Sequence, residues 1–553
     1  MSETRTAPRP RPLIRRIKHR IPLRVRHYWK LLTVCAAFLA VLTLVFGTEQ
    51  VRPYVTSTSD QDGSAISVNI DGRESLFDST VAHTISLTFR DADYERMLDA
   101  FSEDGSKEYV EADLTIDGTM VPSVGIRLKG NSTLQGLTRD GVARQRSGGA
   151  PRRADGQQPA EGQQQPEGQQ PEGQQGGGPR MGGMTRTGLA AEEPEDLPWL
   201  ISFDQFVEGR RYQGHQEIAV RVGGMGGGAT VLNEALALSL LDTAGETTQR
   251  YAYTSFSVND RPTTARLVVE HPDENYAAEM DSAGVLYKSL STGQFTDRGD
   301  DQTDYENDFK QINMKGSQDL QPVINLIRWV NGASDEEFEA QLAEYVDVES
   351  FARYAAMQNL LLNFDDMSGP GRNYYLWYDL TTRKFSVISW DNNLTFSGSA
   401  DQGPHDAGQM GPGGGMGGPR GGDGQTPPEG FQPPEGFQPP EGFQPPEGFQ
   451  SPDGAMPEGG EGRQGGMMAG HILKERFLAS DAFKETYEEA YRQLYQELYG
   501  SGRAIAALDE ITAVLATVDG YDEQATTTDA NQLRNLLQQR TESLSGNEVI
   551  TSG

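Results

Sequence analysis

The residues of this chain best suited to chemistry lie on either side of one predicted β-hairpin. Asp365, Asp366 and Asn373 occupy a polar loop before the hairpin, and Asp391 follows its second strand. Residues 374–390 alternate apolar and polar side chains around a central turn, which is the pattern of two paired strands. Closing that hairpin brings the loop and Asp391 together. Carboxylate and amide oxygens are the hard ligands that Mg²⁺ takes, so the arrangement predicts a metal-assisted site.

The order of these groups is that of a protein kinase active site. There, a catalytic Asp, a metal-binding Asn, a short hairpin and a metal-binding Asp follow one another. By this template Asp365 accepts the proton of the attacking hydroxyl, with its neighbour Asp366 as the alternative. Asn373 and Asp391 would then hold Mg²⁺ or Mn²⁺. The competing interpretation is that Asp and Asn beside Gly and Pro only form turns.

Short alternating segments precede this site, and helical segments surround it. We predict strands where apolar and polar residues alternate, and helices where apolar residues recur at three- and four-residue spacing. The predicted strands are 83–89, 109–117, 121–129, 197–206, 216–222, 251–259, 264–270 and 284–290. The predicted helices are 91–101, 230–243, 320–331, 335–345, 348–362, 470–499 and 505–544. Several strands, one helix and two further strands are the order found in the small lobe of a kinase-like fold.

Four pieces of the chain, in order, resemble the CotH kinase family, the spore-coat type of atypical protein kinase. They are 124–133 (VGIRLKGNST), 284–288 (GVLYK), 365–376 (DDMSGPGRNYYL) and 388–396 (ISWDNNLTF). The last two are similar to the family's HNYYLY loop and IPWDxDxxF strand end, with Arg372 in place of the family's His. The resemblance covers about residues 80–400, interrupted once, and is looser after 470. It implies transfer of the γ-phosphoryl group of ATP to Ser or Thr of a protein.

A turn after the strand 121–129 has the composition of a phosphate-binding loop. Lys129 offers a cation, and Asn131 and Ser132 offer backbone N–H groups that could cradle nucleotide phosphates. The competing interpretation is an ordinary Gly-Asn turn at the end of a hairpin.

The kinase template also requires an ion pair between a cation and a helical acid. Glu234, on the predicted helix 230–243, is the candidate acid, although an exposed helical Glu is an equal alternative. Its partner could be Lys129, Lys288 or Arg221. Members of the family often carry a Lys before the strand that here reads PWLISFD. This chain has none there, which leaves the nucleotide-binding cation open.

Charge divides the chain into a basic start and an acidic body. Residues 1–30 hold ten Lys and Arg against one Glu, whereas the whole chain of 553 residues has a net charge of −32. The uncharged stretch 31–47 follows, and the basic flank predicts a signal anchor with the body outside the cytoplasm. A cleaved signal peptide is the alternative.

The acidic body disfavours nucleic acid as a partner, because it would repel phosphates. The single Cys35 lies in the uncharged stretch, which leaves the body without disulfides.

Two tracts interrupt the folded pattern. Residues 135–194 are rich in Gln, Pro, Glu and Gly, and residues 399–468 contain four PPEGFQ repeats from Pro427 to Gln450. Such composition cannot bury enough apolar surface to offset its ordering entropy, so we predict disorder.

We therefore predict an α+β protein with an atypical protein-kinase-like, two-lobed fold. The predicted function is that of a membrane-anchored, extracytoplasmic kinase that uses ATP and Mg²⁺ or Mn²⁺ and acts on Ser or Thr of protein substrates. The alternative is a non-catalytic cell-surface or assembly scaffold with the same fold.

The predicted parts of the chain are a cytoplasmic tail (1–30), a transmembrane anchor (31–47), a linker (48–78), a β-rich small lobe in two parts (79–134 and 195–270), disordered inserts (135–194 and 399–468), and a helical large lobe (271–398 and 469–545).

Overall fold

The computed structural model describes residues 66–130, 133–143, 188–223, 230–406 and 470–552. The predicted membrane span, the cytoplasmic tail and most of both predicted inserts lie outside these ranges, as do Asn131 and Ser132. No helix within the described ranges is both long and apolar enough to cross a membrane. The fold combines helices and strands, which confirms the predicted α+β class.

Strands dominate the first half of the described chain. In chain order they are β1 (Val68–Ile70), β2 (Ala82–Phe89), β3 (Val110–Ile116), β4 (Thr119–Leu128), β5 (Thr138–Arg139), β6 (Val142–Ala143), β7 (Trp199–Ser202), β8 (Arg210–Tyr212), β9 (Glu217–Val220), β10 (Tyr251–Val258), β11 (Thr264–Glu270), β12 (Gly284–Ser289), β13 (Phe309–Gln311), β14 (Tyr374–Asp379) and β15 (Phe385–Ser389).

Seven of these strands close into a barrel in the order β10, β11, β9, β7, β4, β3 and β2. All neighbours are antiparallel except β10 and β2, which run parallel and complete the closure. The alternating sequence explains the barrel core. For example, β2 buries His83, Ile85, Leu87 and Phe89, every second residue along the strand. Because successive side chains point to opposite faces of a strand, this period of two fills the barrel interior.

Helices form most of the second half. In chain order they are α1 (Asp91–Asp104), α2 (Leu232–Thr243), α3 (Glu274–Ala278), α4 (Gln321–Gly332), α5 (Asp335–Tyr345), α6 (Val348–Leu360), α7 (Ile472–Ala479), α8 (Asp481–Tyr495), α9 (Arg503–Leu515), α10 (Glu523–Ser545) and α11 (Glu548–Thr551). The predicted segments 470–499 and 505–544 are helical, but each is divided into two helices, α7 with α8 and α9 with α10. Their apolar faces join the same core as α4, α5 and α6.

Helix α2 is apolar on most of its surface and is correspondingly buried. Nine of its twelve residues are buried, including Glu234, so the alternative of an exposed helical Glu is wrong. A helix with so little polar surface must be covered on most sides. Its neighbours include α9 and the segment just after Asp391, which places Glu234 close to the predicted metal ligands.

A second, four-stranded sheet in the order β13, β12, β14 and β15 carries the predicted hairpin. Tyr374 pairs with Ser389 in the register of β14 and β15. Asn373, before the first strand, and Asp391, after the second, therefore leave the sheet at the same end. This confirms the prediction that the hairpin brings the loop and Asp391 together.

The described ends of the first predicted insert, residues 135–143 and 188–194, are folded, although the composition predicted disorder. Leu134 and Leu137 on one side, and Leu189 and Ala191 on the other, are buried in the barrel core. Thr138 and Leu189 are joined by a 2.8 Å backbone hydrogen bond, so the two ends of the interruption lie side by side. Four apolar residues were enough to anchor these ends, although the surrounding composition is polar.

The first eight residues of the second predicted insert, 399–406, are also folded. Residues 399–406 pack against the C-terminal helices: Arg540 donates to the carbonyl of Gln402 at 2.6 Å, and the Tyr487 hydroxyl donates to that of Pro404 at 2.5 Å. His405 lies 2.9 Å from Glu488. Side chains from a distant part of the chain thus donate hydrogen bonds to the backbone carbonyls of residues 399–406.

Candidate active site

A cavity of about 480 Å³ lies between the barrel and the end of the four-stranded sheet. It collects most of the predicted site residues in one place. Its charged lining consists of Lys107, Arg127, Lys129, Arg221, Lys288, Glu234, Asp365 and Asp391, together with the polar side chain of Asn373. Five cations therefore face three carboxylates, and the excess positive charge favours an anionic ligand.

Asp365 lies at the floor of this cavity and is held by its own loop. Its Oδ1 accepts a 2.6 Å hydrogen bond from the Gly371 backbone N–H, and its Oδ2 accepts a 2.9 Å bond from Asn373 Nδ2. Burial raises the pKa of Asp365 to about 7, and the nearby negative charges of Asp391 and Asp366 act in the same direction. A carboxyl group that titrates near neutral pH is suited to general-base catalysis.

Two glycines allow the loop to fold closely over Asp365. A Cβ at Gly371 would lie 2.6 Å from both Asn373 Nδ2 and Asp365 Oδ2, and a Cβ at Gly369 would lie 2.4 Å from Asp365 Cα. Distances this short leave no room for a side chain. The Gly-Pro-Gly sequence is therefore required for the contact between Asp365 and Asn373, and does more than form a turn.

Asp391 follows β15 in a left-handed backbone conformation, with φ of 57°. Left-handed φ is uncommon for most non-glycine residues, but Asp adopts it more readily than most. Asp391 Oδ1 lies 2.6 Å from the Arg221 guanidinium. Burial opposes its ionisation, but Arg221, Lys129 and Lys288 together outweigh this effect and hold the pKa of Asp391 below its usual value. Asp391 therefore carries a negative charge at neutral pH.

The predicted ion pair of Glu234 is formed with Arg221, one of the three candidate cations. Arg221 donates to Glu234 Oε1 at 2.5 Å. Burial raises the pKa of Glu234, and the negative charge of Asp391 adds to the shift, because one guanidinium serves two carboxylates. The template predicts an ion pair between a cation and this helical acid, and among the three candidates it is Arg221 that contacts Glu234.

The other two candidate cations flank a tryptophan. Lys129 and Lys288 lie 4.9 and 5.0 Å from the centre of the Trp390 ring, within the range of cation–π attraction. Burial and repulsion from Arg221 lower the pKa of Lys129 to about 7. Burial lowers that of Lys288 to about 8. Both amines are thus partly charged at neutral pH, and an anion in the cavity would favour their protonated forms.

The predicted alternative base, Asp366, belongs to a different environment. Its side chain is 3% exposed and pairs with Lys474 of α7, and its Oδ1 accepts a 2.7 Å hydrogen bond from the Ser368 backbone. Among the described residues that line the cavity, Asp365 is present and Asp366 is not. Although Asp365 and Asp366 are adjacent in sequence, the first lines the cavity and the second pairs with Lys474.

The predicted phosphate turn is described only in part. Gly130 borders the cavity beside Lys129 and has φ of 104°, a conformation that side chains rarely adopt. Asn131 and Ser132 lie outside the described residues, so their predicted roles stay predictions.

Several residues of the site were missed from the sequence. Lys107 and Arg127 extend its positive lining, and Trp390 lies beneath two lysines. Asn233 joins α2 to the segment after Asp391, because its Nδ2 donates to the Asn393 carbonyl at 2.5 Å. Trp390 could have been found from its position before Asp391, but Lys107 and Asn233 carry no local pattern.

The chain belongs to the CotH family, because the family model described as CotH kinase protein matches residues 190–544. This span includes the catalytic-loop candidates, the hairpin and the C-terminal helices. The piece 124–133, which also resembles the family, lies before the matched span. A search of curated proteins found no match to this chain.

Proposed function

We propose that this protein is a kinase that transfers the γ-phosphoryl group of ATP to a Ser or Thr hydroxyl of a protein substrate. The main support for the proposal is that one cation-rich cavity is lined by Asp365, Asn373, Asp391 and the Arg221–Glu234 pair. Membership of the CotH family supports it. We also propose that the barrel with α2 corresponds to the small lobe of a kinase, and the second sheet with the remaining helices to the large lobe.

The side chains at the hairpin end fit a divalent cation. The described residues contain no group of three or more His, Cys, Asp or Glu that could hold a metal. Mg²⁺, however, is usually held by one or two carboxylates together with water and substrate phosphates. Asp391, which is ionised and 29% exposed, and the amide oxygen of Asn373 would hold it. The bound ion would neutralise phosphate charge, which is its ordinary contribution to phosphoryl transfer.

Other residues of the cavity would bind the phosphates and accept the proton of the substrate hydroxyl. Lys129, Lys288 and Arg221, which line the cavity together, would bind the phosphates. Asp365 would accept the proton as the substrate oxygen forms its bond to the γ-phosphorus and the bond to the bridging oxygen of ADP breaks. Its raised pKa suits this role, because a base that titrates near 7 is both available and strong enough to take the proton.

A second candidate is a non-catalytic scaffold with the same fold. The observation that favours it is the engagement of Asp391 by Arg221, which occupies the carboxylate that a metal would need. In that case Asp365 and Asn373 would serve only to shape the loop.

We further propose that the activity is located outside the cytoplasm, on a single membrane anchor. The uncharged stretch 31–47 and the ten basic residues before it support this location. A reporter enzyme fused after residue 60 should be active only on the outer side, and activity in the cytoplasm would rule the anchor out.

The test of the proposed function is incubation of the full chain with γ-labelled ATP and either Mg²⁺ or Mn²⁺. Label should appear on the protein itself or on an added protein mixture as alkali-labile phosphoserine or phosphothreonine. The matched control is Asp391→Ala, which should give no label. Equal labelling of the two proteins would indicate a contaminating kinase, and no labelling of either would favour the scaffold.

A further inference from the structure

The loop that carries Asp365 and Asn373 is tied at both ends to the start of helix α7. At one end Lys474 Nζ donates to Asp366 Oδ2. At the other end, the Tyr374 hydroxyl lies 3.0 Å from His471 Nε2. Asp366 follows Asp365 directly and Tyr374 follows Asn373 directly, so each tie is one residue from a proposed functional group.

Burial makes both ties strong constraints. Asp366 is 3% exposed and Lys474 16%, while Tyr374 and His471 are each 1% exposed. A buried ion pair is not a large source of stability, but removing one partner is strongly unfavourable because the other charge stays buried. Burial lowers the pKa of His471 to about 3, so its ring is neutral and its contact with Tyr374 is a neutral hydrogen bond.

Within the described part of the chain, the loop is also anchored by the Met367 side chain, which is fully buried in the core, and by the pairing of Tyr374 with Ser389 where β14 begins. The Met367 backbone N–H donates to the Tyr354 hydroxyl at 3.3 Å, a long hydrogen bond. The remaining bonds at Asp365 and Ser368 are formed within the loop itself. Internal bonds fix the shape of the loop, whereas its position relative to the cavity depends on Met367, on the strand pairing at Tyr374 and on the two ties to α7.

We propose that Lys474 and His471 are positioning residues that set where Asp365 and Asn373 stand in the cavity. The proposal rests on the proposed function, since it assigns these two side chains to the same reaction. Neither residue is part of the cavity lining among the described residues. Their loss should therefore reduce turnover more strongly than ATP binding, because the cations Lys129, Lys288 and Arg221 are not held by these ties, whereas a displacement of about 1 Å at a reacting group can cost about 100-fold in rate.

The experiment compares four variants of the full chain by hydrogen–deuterium exchange of the peptide that spans residues 363–374, and by kinetics. Lys474→Met breaks the first tie, and Lys474→Arg keeps the charge as a rescue. His471→Phe breaks the second tie without leaving a buried charge. The control is Asp335→Asn, which removes an ion pair between Arg476 of α7 and α5, away from the loop.

Should Lys474→Met fail to fold because Asp366 stays charged, Lys474→Met combined with Asp366→Asn removes both charges. This double variant is measured by exchange alone, so the proposal is still tested.

The expected result is faster exchange of the 363–374 peptide in Lys474→Met and His471→Phe, but not in Lys474→Arg or Asp335→Asn. The first two should also show kcat lower by about 10- to 100-fold, with a smaller change in the KM for ATP. Unchanged exchange in both variants would overturn the proposal. If the loop loosens but the unmodified protein transfers no phosphate, the ties are real and the proposed function is what fails.

Discussion

Arg221 bridges the barrel and the metal-site candidate: its guanidinium lies 2.6 Å from Asp391 Oδ1 while it donates to Glu234 Oε1 at 2.5 Å. One cation from the end of β9 thus connects helix α2 to the end of the hairpin. The position of α2 and the position of Asp391 are consequently set together. This connection would hold α2 and Asp391 in fixed positions relative to each other while a nucleotide binds.

Replacing Arg221 by Met should weaken both the fold and nucleotide binding. Two carboxylates would lose their shared buried partner, and uncompensated buried charge of this kind costs roughly 3–5 kcal/mol. Chemical denaturation should show the loss, and a nucleotide-binding assay should show weaker affinity. As a control, Arg139→Met removes exposed pairs with Glu95 and Asp99. Equal stability of the two variants would mean that the Arg221 bridge is not structurally important.

The pH dependence of phosphoryl transfer should be bell-shaped, with its maximum near pH 7–8. Asp365 must be ionised to act as a base, and its pKa of about 7 means that kcat/KM should rise as the pH increases through 7. Lys129 and Lys288, with pKa values of about 7 and 8, lose their charge over the same range and above it, which should weaken phosphate binding at alkaline pH. A rate that stays constant down to pH 5 would contradict the assignment of Asp365.

Lys129→Met should stabilise the protein although it removes a proposed ligand group. The folded-state pKa of Lys129, about 7, is lower than the ordinary value of 10.5, so folding disfavours its charged form. This cost is present in full below pH 7 and disappears as the pH approaches 10.5. The gain should be on the order of 1 kcal/mol at pH 6 and smaller at pH 10. Thermal melting at the two pH values measures it.

The matched control for this stability change is Lys484→Met, at an exposed position on α8. Its effect on the melting temperature should be small and nearly independent of pH. A Lys129 variant that behaves in the same way would show that burial does not perturb this lysine.

Gly371→Ala should disrupt the contact between Asp365 and Asn373. The added Cβ would stand 2.6 Å from an atom of each side chain, so the two must separate. We expect turnover to fall by about 100-fold, the size associated with a misplaced catalytic group. Gly332→Ala is the control, because a Cβ there meets nothing within 4 Å. Comparable loss in both variants would indicate a general effect on folding.

The sequence was sufficient to predict the hairpin and the grouping around it. Polar residues on both sides of an alternating segment must meet when the strands pair, and this brings Asn373 and Asp391 to one end of the sheet. The strands of the barrel also follow from their alternating side chains, and helix α2 was predicted as well. The predicted roles of Asp365, Asp366, Asn373 and Asp391 are functional statements that stay predictions.

What the sequence could not predict depends on contacts between distant segments. Lys129, Lys288 and Arg221 were equivalent candidates for Glu234, and only the closed fold selects Arg221. Asp365 and Asp366 were not separable by pattern, because the difference comes from Lys474, more than a hundred residues later. The buried ends of the inserts were missed for the same reason: a few apolar residues pack on remote surfaces that local composition does not reveal.

The most direct measurement of the central claim is a comparison of ATP binding and phosphoryl transfer in the unmodified protein, Asp391→Ala and Asp365→Asn. The unmodified protein should bind ATP with Mg²⁺ and transfer phosphate. Asp391→Ala should lose the binding that depends on Mg²⁺, whereas Asp365→Asn should bind ATP normally and transfer phosphate about 10²- to 10⁴-fold more slowly. Absence of ATP binding by the unmodified protein at millimolar concentration with either metal, or an unchanged rate in Asp365→Asn, would contradict the proposed mechanism.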